Sequence, residues 1–479
     1  MIRASIGKDA ALSTDISQQS HEKDKCYPLR DQERHRFREL DSLRGLCTCV
    51  VILGHMWFAF GDNVPVPHLL DYSGLSVKVF FALSGHLVAY QYLQDGKSES
   101  LFSAIFRRGP RLLIPAFCAN LLYWMLSVFG ANASESNFRK MTSNTFCEGC
   151  IPNDFFVVVA SSTRVMWSFG RDHFVWLWTV SQEIYGSTVV FMLAPAFRWI
   201  VDSKVWGFDD NTRIGSLVLP RRLHRCVLAY ALFFVCFGVL DSVVIAWITP
   251  VMSTPKWSNQ LLEITSILQT FYLFTAGMAI AHIGIIFGEV KHRIFWANIS
   301  MSSLKKSLYC IPISLIGIGA ASPWMINYAD QWWYWMTGNG IPLGQFVLCS
   351  GAITLLAGVA SSPQDVRAVL SKLSPVGQIS YSLYLLHMSV VYAVGMPLYV
   401  WFHPIINSRA ITFAVVVILT IGPLFSFAYC FWRYVEDPLG VRLPVRAFNT
   451  LWGHRGAIAS LAWLSWDKLL QSMALVKVP

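Results

Sequence analysis

Charged side chains are scarce in this sequence. Only 14% of the 479 residues are charged, whereas 54% are hydrophobic and 14% are aromatic, and the mean hydropathy is +0.46. A soluble globular chain carries about 25% charged residues, so this chain has too few to cover its surface in water. The shortage excludes a soluble protein and indicates an integral membrane protein.

Several other signals are also missing. Strand-sized alternation of polar and apolar residues is scarce, which argues against a membrane β-barrel. The chain has no HExxH, Walker A or GxSxG motif and no spaced Cys/His cluster, so we expect no metal site, ATPase or serine hydrolase. The net charge is +10, but no basic arm is interleaved with aromatic residues, so we expect no nucleic-acid partner.

Long apolar runs dominate what is present. Each is long enough for one helix to cross a bilayer. They lie at 43–61, 74–93, 112–130, 174–197, 223–249, 262–288, 303–321, 341–361, 376–402 and 410–435. The sequence therefore predicts an all-α integral membrane protein with ten transmembrane helices.

The basic residues predict the orientation of these helices. Segments on the N-terminal side of the membrane hold 31 of the 38 Lys and Arg residues, and the opposite loops hold 6. Basic residues concentrate on the cytosolic side, so we expect both termini in the cytosol. The predicted organisation is a polar tail at 1–42, a membrane domain at 43–438 and a cytosolic or interfacial tail at 439–479. Because the N-terminal tail has no secretory apolar region, the first span is interpreted as an uncleaved signal anchor.

The loop at 131–173 is the long segment on the far side of the membrane. It contains the glycosylation sequon Asn132-Ala133-Ser134 and two nearby cysteines, Cys147 and Cys150. Both features suit an oxidising lumen, so we expect a glycan on Asn132 and a disulfide between the two cysteines. The predicted location is the endoplasmic reticulum and Golgi or the plasma membrane.

Ionisable side chains at membrane depth are costly and mark functional sites. His55 follows Arg44 by eleven residues, which places it on nearly the same helical face and about 16 Å deeper. Glu183 lies about nine residues into a span that enters from the other side, which places it about 14 Å deep at 1.5 Å per residue. These depths predict that Glu183 and His55 meet, as a general base pair or as the proton relay of a transporter. A buried packing pair is the structural alternative.

Basic and polar groups lie on two other spans. Arg107, Arg108 and Arg111 precede the third span, where guanidinium groups suit the phosphates of a nucleotide-bearing cofactor, although topology alone explains one or two of them. Tyr384 and His387 share a face of the ninth span with Ser380. They support the site or join helices through hydrogen bonds.

Six blocks, in order, give the chain a family resemblance. They are Phe37-Arg38-Glu39-Leu40-Asp41-Ser42-Leu43-Arg44-Gly45 with His55, Phe80-Phe81-Ala82-Leu83-Ser84-Gly85, Arg107-Arg108-Gly109-Pro110-Arg111-Leu112-Leu113-Ile114-Pro115, Leu177-Trp178-Thr179-Val180-Ser181-Gln182-Glu183, Ile379-Ser380-Tyr381-Ser382-Leu383-Tyr384-Leu385-Leu386-His387 and Val435-Glu436-Asp437-Pro438. Together they resemble the acyltransferase 3 family of polytopic membrane acyltransferases. Within that family the chain looks more like the fungal members associated with surface or natural-product acylation.

The resemblance implies a ten-helix core that transfers an acyl group, commonly acetyl from acetyl-CoA, to a hydroxyl of a sugar, polymer, lipid or small metabolite. It links Arg44, His55, Arg108 and Arg111 to activity, and Glu183 matches the family glutamate. Two departures concern acceptor handling: His86 stands where an aromatic or apolar residue is usual, and Lys78 where Asp or a small residue is common.

We therefore expect acyl-CoA to bind with its phosphates on Arg44, Arg107, Arg108 and Arg111, and His55 with Glu183 to deprotonate the acceptor hydroxyl. Tyr384 or Ser181 is the expected oxyanion donor, and an acyl-histidine intermediate remains open. The alternative function is a proton-coupled transporter or exporter that uses His55 and Glu183 as a relay. The oligomeric state stays open.

Overall fold

Helices form nearly all of the part of this chain that its structure, a computed structural model, describes. The described residues are 38–60, 73–126, 128, 155–164, 177–203, 213–214, 217–218, 221–251, 258–290, 343–362 and 364–453. Within these ranges the strands are β1 (Arg213–Ile214) and β2 (Leu217–Val218), which pair antiparallel. The predicted helical class is confirmed.

The helices are numbered in chain order. They are α1 (Arg38–Phe60), α2 (Ser73–Asp95), α3 (Ser98–Leu126), α4 (Phe155–Arg164), α5 (Trp178–Asp202), α6 (Arg221–Val251), α7 (Ser258–Val290), α8 (Leu343–Ala360), α9 (Gln364–Ser371), α10 (Ser374–Gln378), α11 (Ser380–Val390), α12 (Met396–Ile406), α13 (Arg409–Phe431) and α14 (Leu443–Gly453). The π-helical segment π1 (Val391–Gly395) joins α11 to α12, and π2 (Trp432–Arg442) joins α13 to α14.

Seven helices in the described ranges are long and apolar enough to cross a membrane. Their spans are Arg38–Phe60, Ser73–Asp95, Trp178–Asp202, Arg222–Val239, Ile267–Ile286, Ser380–Ile406 and Arg409–Trp452. The chain is thus an integral membrane protein. The predicted span at 303–321 lies outside the described residues, as do 1–37, 454–479, Asn132, Cys147 and Cys150.

Both predicted boundaries of the membrane domain fall inside helices. The first helix begins at Arg38, five residues before the apolar run, where Glu39 and Asp41 occupy its first turn and favour the positive end of the helix. At the other boundary the helix continues past Pro438, because π2 widens the turn that contains this proline. Hydropathy detects the apolar part of a helix and misses these polar ends.

Two apolar cores support the bundle. One is built mainly from α1, α3, α11, α12 and α13, and the other mainly from α2, α5, α6, α7 and α8. In the second core, α2 and α7 approach so closely that a Cβ on Gly277 would lie 1.8 Å from the carbonyl oxygen of Ala82. Small residues allow such backbone contact between membrane helices. The polar site lies where these two cores meet.

Two contacts fix the first core around α11. The Tyr381 hydroxyl donates a hydrogen bond of 2.6 Å to the Leu112 carbonyl, which ties α11 to α3. A Cβ on Gly377 would lie 2.0 Å from the carbonyl oxygen of Asp41, so α10 packs directly on the backbone of α1. The helices that carry Arg111 and His387 are therefore joined by a hydrogen bond, and the short helix that precedes α11 packs on the helix that carries His55.

Candidate active site

His55 of α1 and His387 of α11 form a hydrogen-bonded pair. The distance from Nδ1 of His55 to Nε2 of His387 is 2.7 Å, and the two rings are nearly parallel, with centroids 4.9 Å apart and an interplanar angle of 15°. His387 is fully buried and His55 is half-buried. On the same helix, Nδ1 of His387 lies 2.5 Å from the carbonyl oxygen of Tyr384.

Glu183 of α5 is held by a different set of groups. Arg108 of α3 donates from a terminal guanidinium nitrogen to Oε1 of Glu183 at 2.7 Å, and the Ser84 hydroxyl donates to the same oxygen at 2.6 Å. The Nε of Arg108 also donates to the Ser187 hydroxyl oxygen at 2.9 Å. The side chains of Arg108 and Glu183 are only 15% and 16% exposed. The guanidinium of Arg108 therefore already donates hydrogen bonds to a carboxylate and a hydroxyl of α5.

The structure does not pair His55 with Glu183. Among the described residues, no hydrogen bond joins them, and each has the other partners just named. Glu183 instead lines the same pocket as Arg44, which precedes His55 by eleven residues, a rise of about 16 Å along a helix. The depths estimated from residue counts placed Glu183 level with His55. Such a count assumes that each helix starts at the membrane surface and runs perpendicular to it.

Arg44 and Arg111 are close enough for their charges to interact, and neither guanidinium has a direct partner among the described residues. Arg111 interacts electrostatically with Arg44 and Arg108 and with the carboxylates of Glu183 and Glu436, and Asp41 interacts with Arg44 and Arg111. Within the part of the chain that the structure describes, neither the guanidinium of Arg44 nor that of Arg111 makes a hydrogen bond or a salt bridge. Two neighbouring guanidinium groups with unused donors are able to bind an anion such as phosphate.

Arg107 has a different environment from these arginines. Its Nε donates to the carbonyl oxygen of Ser103 on its own helix at 3.0 Å. The sequence grouped Arg107 with Arg108 and Arg111 because they are adjacent, but consecutive positions on a helix point in different directions. Of the arginines in this motif, Arg111 is the one beside Arg44.

A pocket with about 450 Å³ of empty space lies beside this cluster. Its lining residues are Arg44, Val77, Phe80, Phe81, Thr179, Glu183, Ser380, Tyr381 and Tyr384. The wall is mostly aromatic and apolar, with an arginine and a carboxylate among the polar groups. Such a lining is typical of a small-molecule site.

Tyr384 connects the pocket to the histidine pair. Its hydroxyl oxygen accepts a hydrogen bond from the Thr179 hydroxyl at 2.7 Å, and its ring centroid lies 5.6 Å from that of His387. Ser181, the other expected oxyanion donor, is fully buried and is absent from the pocket lining. Of the two residues, Tyr384 is therefore the one that lines the pocket.

Three polar residues at the site carried no assigned role in the sequence reading. Ser84 donates to Glu183, and Thr179 donates to Tyr384. The buried Glu436 accepts a hydrogen bond of 2.5 Å from the Ser382 hydroxyl. All three lie inside the motif blocks of the sequence, which was the available signal. Their roles depend on which helix faces which, and a motif does not carry that information.

The two unusual residues of α2 lie beside the site helices. Lys78 is buried and donates to Oε1 of Gln269 on α7 at 2.9 Å, and His86 is buried against the same helix at Gly277. Neither lines the pocket. Across the described ranges, no group of three or more His, Cys, Asp or Glu side chains is arranged to hold a metal ion.

Comparison with known proteins identifies a family. A family model for acyltransferase 3, described as an acyltransferase domain, matches residues 37–429. The match begins at the first motif of α1 and ends within α13, so it contains every pocket residue. Searches of curated proteins and of solved structures find no match to this chain.

Proposed function

The chain belongs to the acyltransferase 3 family, and on that premise we propose that this membrane acyltransferase transfers an acyl group, most simply acetyl from acetyl-CoA, to a hydroxyl of a small metabolite, sugar or lipid. One observation carries the proposal. The pocket wall contains the guanidinium of Arg44, which is unpaired among the described residues. Through Tyr384 the pocket adjoins His387, which is hydrogen-bonded to His55. This arrangement suits an anionic donor and a general base.

The arginine pair is the proposed donor site. CoA carries phosphates, and Arg44 with Arg111 supplies guanidinium donors that no described protein group uses. His55 lies about 16 Å further along α1, so a donor bound by its phosphates needs a long arm to bring its acyl group to the histidine. CoA has such an arm between its phosphates and its thioester. The thioester therefore reaches the far side of the pocket, near Tyr384.

His55 is the proposed general base. Its Nε2 takes the proton of the acceptor hydroxyl while the hydroxyl oxygen attacks the thioester carbonyl carbon. The tetrahedral intermediate then collapses, the carbon–sulfur bond breaks, and the CoA thiolate leaves and receives the proton from His55. The Tyr384 hydroxyl is the proposed donor to the oxyanion of this intermediate. Glu183 has a supporting role, because Arg108 and Ser84 occupy its carboxylate.

The transporter alternative needs proton exchange between His55 and Glu183. The two side chains have separate partners, and the structure offers no observation that favours a relay between them. The proposed compartments are the endoplasmic reticulum and Golgi or the plasma membrane, and the fungal resemblance favours acceptors of secondary metabolism.

The test is turnover of acyl-CoA by purified protein. The protein in detergent is incubated with radiolabelled acetyl-CoA and a panel of alcohols, sugars and lipid hydroxyls, and free CoA and labelled product are measured. We expect CoA release that depends on an acceptor and is abolished in His55→Gln, which keeps a polar side chain of similar reach. Acceptor-dependent release that is equal in wild type and His55→Gln would remove His55 from the mechanism. Acceptor flux across vesicles without a covalent product would support the transporter instead.

A further inference from the structure

The hydrogen bonds of His387 fix the position of its own ring proton. A backbone carbonyl only accepts hydrogen bonds, so the bond between His387 and the Tyr384 carbonyl oxygen, 2.5 Å long, places a proton on Nδ1 of His387. A neutral imidazole carries one ring proton. Nε2 of His387 is therefore an acceptor with a lone pair.

The second bond passes this constraint to His55. Nε2 of His387 lies 2.7 Å from Nδ1 of His55, and it accepts, so Nδ1 of His55 must donate. The proton of neutral His55 is then on Nδ1, and its Nε2 has the lone pair. Among the described residues no group bonds to Nε2 of His55, which leaves that atom available to a substrate.

We infer that His387 is a positioning residue that holds His55 in the Nδ1-protonated tautomer, through an ordered chain of hydrogen bonds from His55 to His387 to the Tyr384 carbonyl. The inference rests on the proposed function, in which His55 is the base. An acidic residue performs this orienting task in the familiar catalytic triads, whereas here a second, neutral imidazole takes its place.

The arrangement also accounts for the burial of His387. Its ring is fully buried, and both of its nitrogens are engaged, one by the carbonyl and one by His55. A buried polar group is tolerated when its hydrogen bonds are satisfied. When His55 takes a proton from the acceptor, its Nδ1–H still donates to His387, so the cation forms without a change of partner.

A pair of matched variants separates orientation from packing. Glutamine places its amide oxygen near the position of Nε2 of histidine, and asparagine places its amide group near Nδ1. His387→Gln therefore retains an acceptor for His55, and His387→Asn retains only the contact to the Tyr384 carbonyl. Both variants replace the ring with an amide of similar polarity, so a purely structural role predicts similar losses.

The kinetic test compares the two variants in acyl transfer. We expect His387→Asn to lower kcat about 100-fold, the scale of a general base contribution, while the KM for acetyl-CoA stays near wild type. His387→Gln should retain most of the wild-type kcat. Equal losses in both variants, or a wild-type kcat in His387→Asn, would overturn the inference. Thermal unfolding in detergent checks that both variants fold.

A spectroscopic test does not require activity. Full-length protein labelled with ¹⁵N-histidine is examined by NMR in detergent near neutral pH, and the ring resonances of His55, among the twelve histidines, are those lost in His55→Gln. We expect a protonated Nδ1 and an unprotonated Nε2 for His55 in wild type, and loss of this preference in His387→Asn. An Nε2-protonated His55 in wild type overturns the inference. If no acyl-CoA is turned over but the expected tautomer is found, the proposed function fails and the orienting role of His387 stands.

Discussion

Two arginines that are three residues apart on α3 have different surroundings. Arg108 forms a salt bridge with Glu183, whereas Arg111 lies beside Arg44 and has no direct partner among the described residues. The motif that contains both gives them the same apparent role. Their contacts instead divide them into a residue that neutralises a carboxylate and a residue that is available to a ligand.

We expect Arg111→Ala to raise the KM for acetyl-CoA about tenfold, the effect of losing about 1.4 kcal/mol of binding, with kcat close to wild type. The reason is that Arg111 is proposed to bind donor phosphate without contacting the reacting atoms. The measurement is steady-state kinetics with varied acetyl-CoA. Arg107→Ala is the control, since Arg107 bonds to its own helix. The assignment fails if both variants have the same KM or if Arg111→Ala lowers only kcat.

Arg108→Met should destabilise the protein by about 3 kcal/mol, because it leaves the carboxylate of Glu183 without its counter-charge in a mostly buried position. Thermal unfolding in a fixed detergent measures the change. Adding Glu183→Gln removes the uncompensated charge and should recover much of the loss. If the double variant is as unstable as Arg108→Met alone, the ion pair is not the source of the effect.

At the scale of elements, glycines set the distance between α2 and α7. Gly85 approaches the carbonyl of Phe274, and Gly277 approaches that of Ala82. On α7, Gln269 accepts a hydrogen bond from Lys78 of α2, and the Thr270 hydroxyl donates one to Gln182 of α5. A shift of α7 would therefore move the helix that carries Glu183.

Gly277→Ala is expected to lower stability by about 1–3 kcal/mol, the usual effect of overpacking, since the new methyl would meet the Ala82 carbonyl. Gly284→Ala on the same helix is the matched control, because a Cβ there meets nothing within 4 Å in the described structure. That control should be neutral or stabilising by up to about 1 kcal/mol. Unfolding of the two variants in the same detergent distinguishes them, and equal effects would contradict close packing at Gly277.

Hydropathy predicted the apolar body of each described span but not the helix types within the ninth. The run at 376–402 was predicted as one span, and a span at Ser380–Ile406 is present. The structure has α10, α11, π1 and α12 in succession from Ser374 to Ile406. Apolar length is a local property of the sequence and sets where a span exists. The turns that place Tyr384 and His387 depend on contacts with α1 and α3, which no local pattern encodes.

At the scale of the whole molecule, two sequons test the predicted orientation. Basic residues predict that 131–173 faces the lumen and that 289–306 faces the cytosol. Glycosylation occurs in the lumen, so Asn132 should carry a glycan and Asn298, in Asn298-Ile299-Ser300, should not.

Removal of N-glycans from protein expressed in eukaryotic cells should increase its mobility on a gel. Asn132→Gln should abolish that change, and Asn298→Gln should leave it intact. In sealed microsomes, protease added outside should digest tags on both termini. A glycan on Asn298, or a terminal tag that the protease does not digest, would contradict the predicted orientation.

The sequence by itself determined that this chain is a helical membrane protein and, through its ordered motifs, that it is an acyltransferase 3 member. It also supplied His55, Glu183 and the arginines, because span length, charge and motif order are properties of neighbouring residues. The tertiary structure decided the partners. His387 is 332 residues from His55, and Arg108 is 75 residues from Glu183. A count of residues gives the height along one helix, whereas the offset and rotation between two helices come from packing between distant segments.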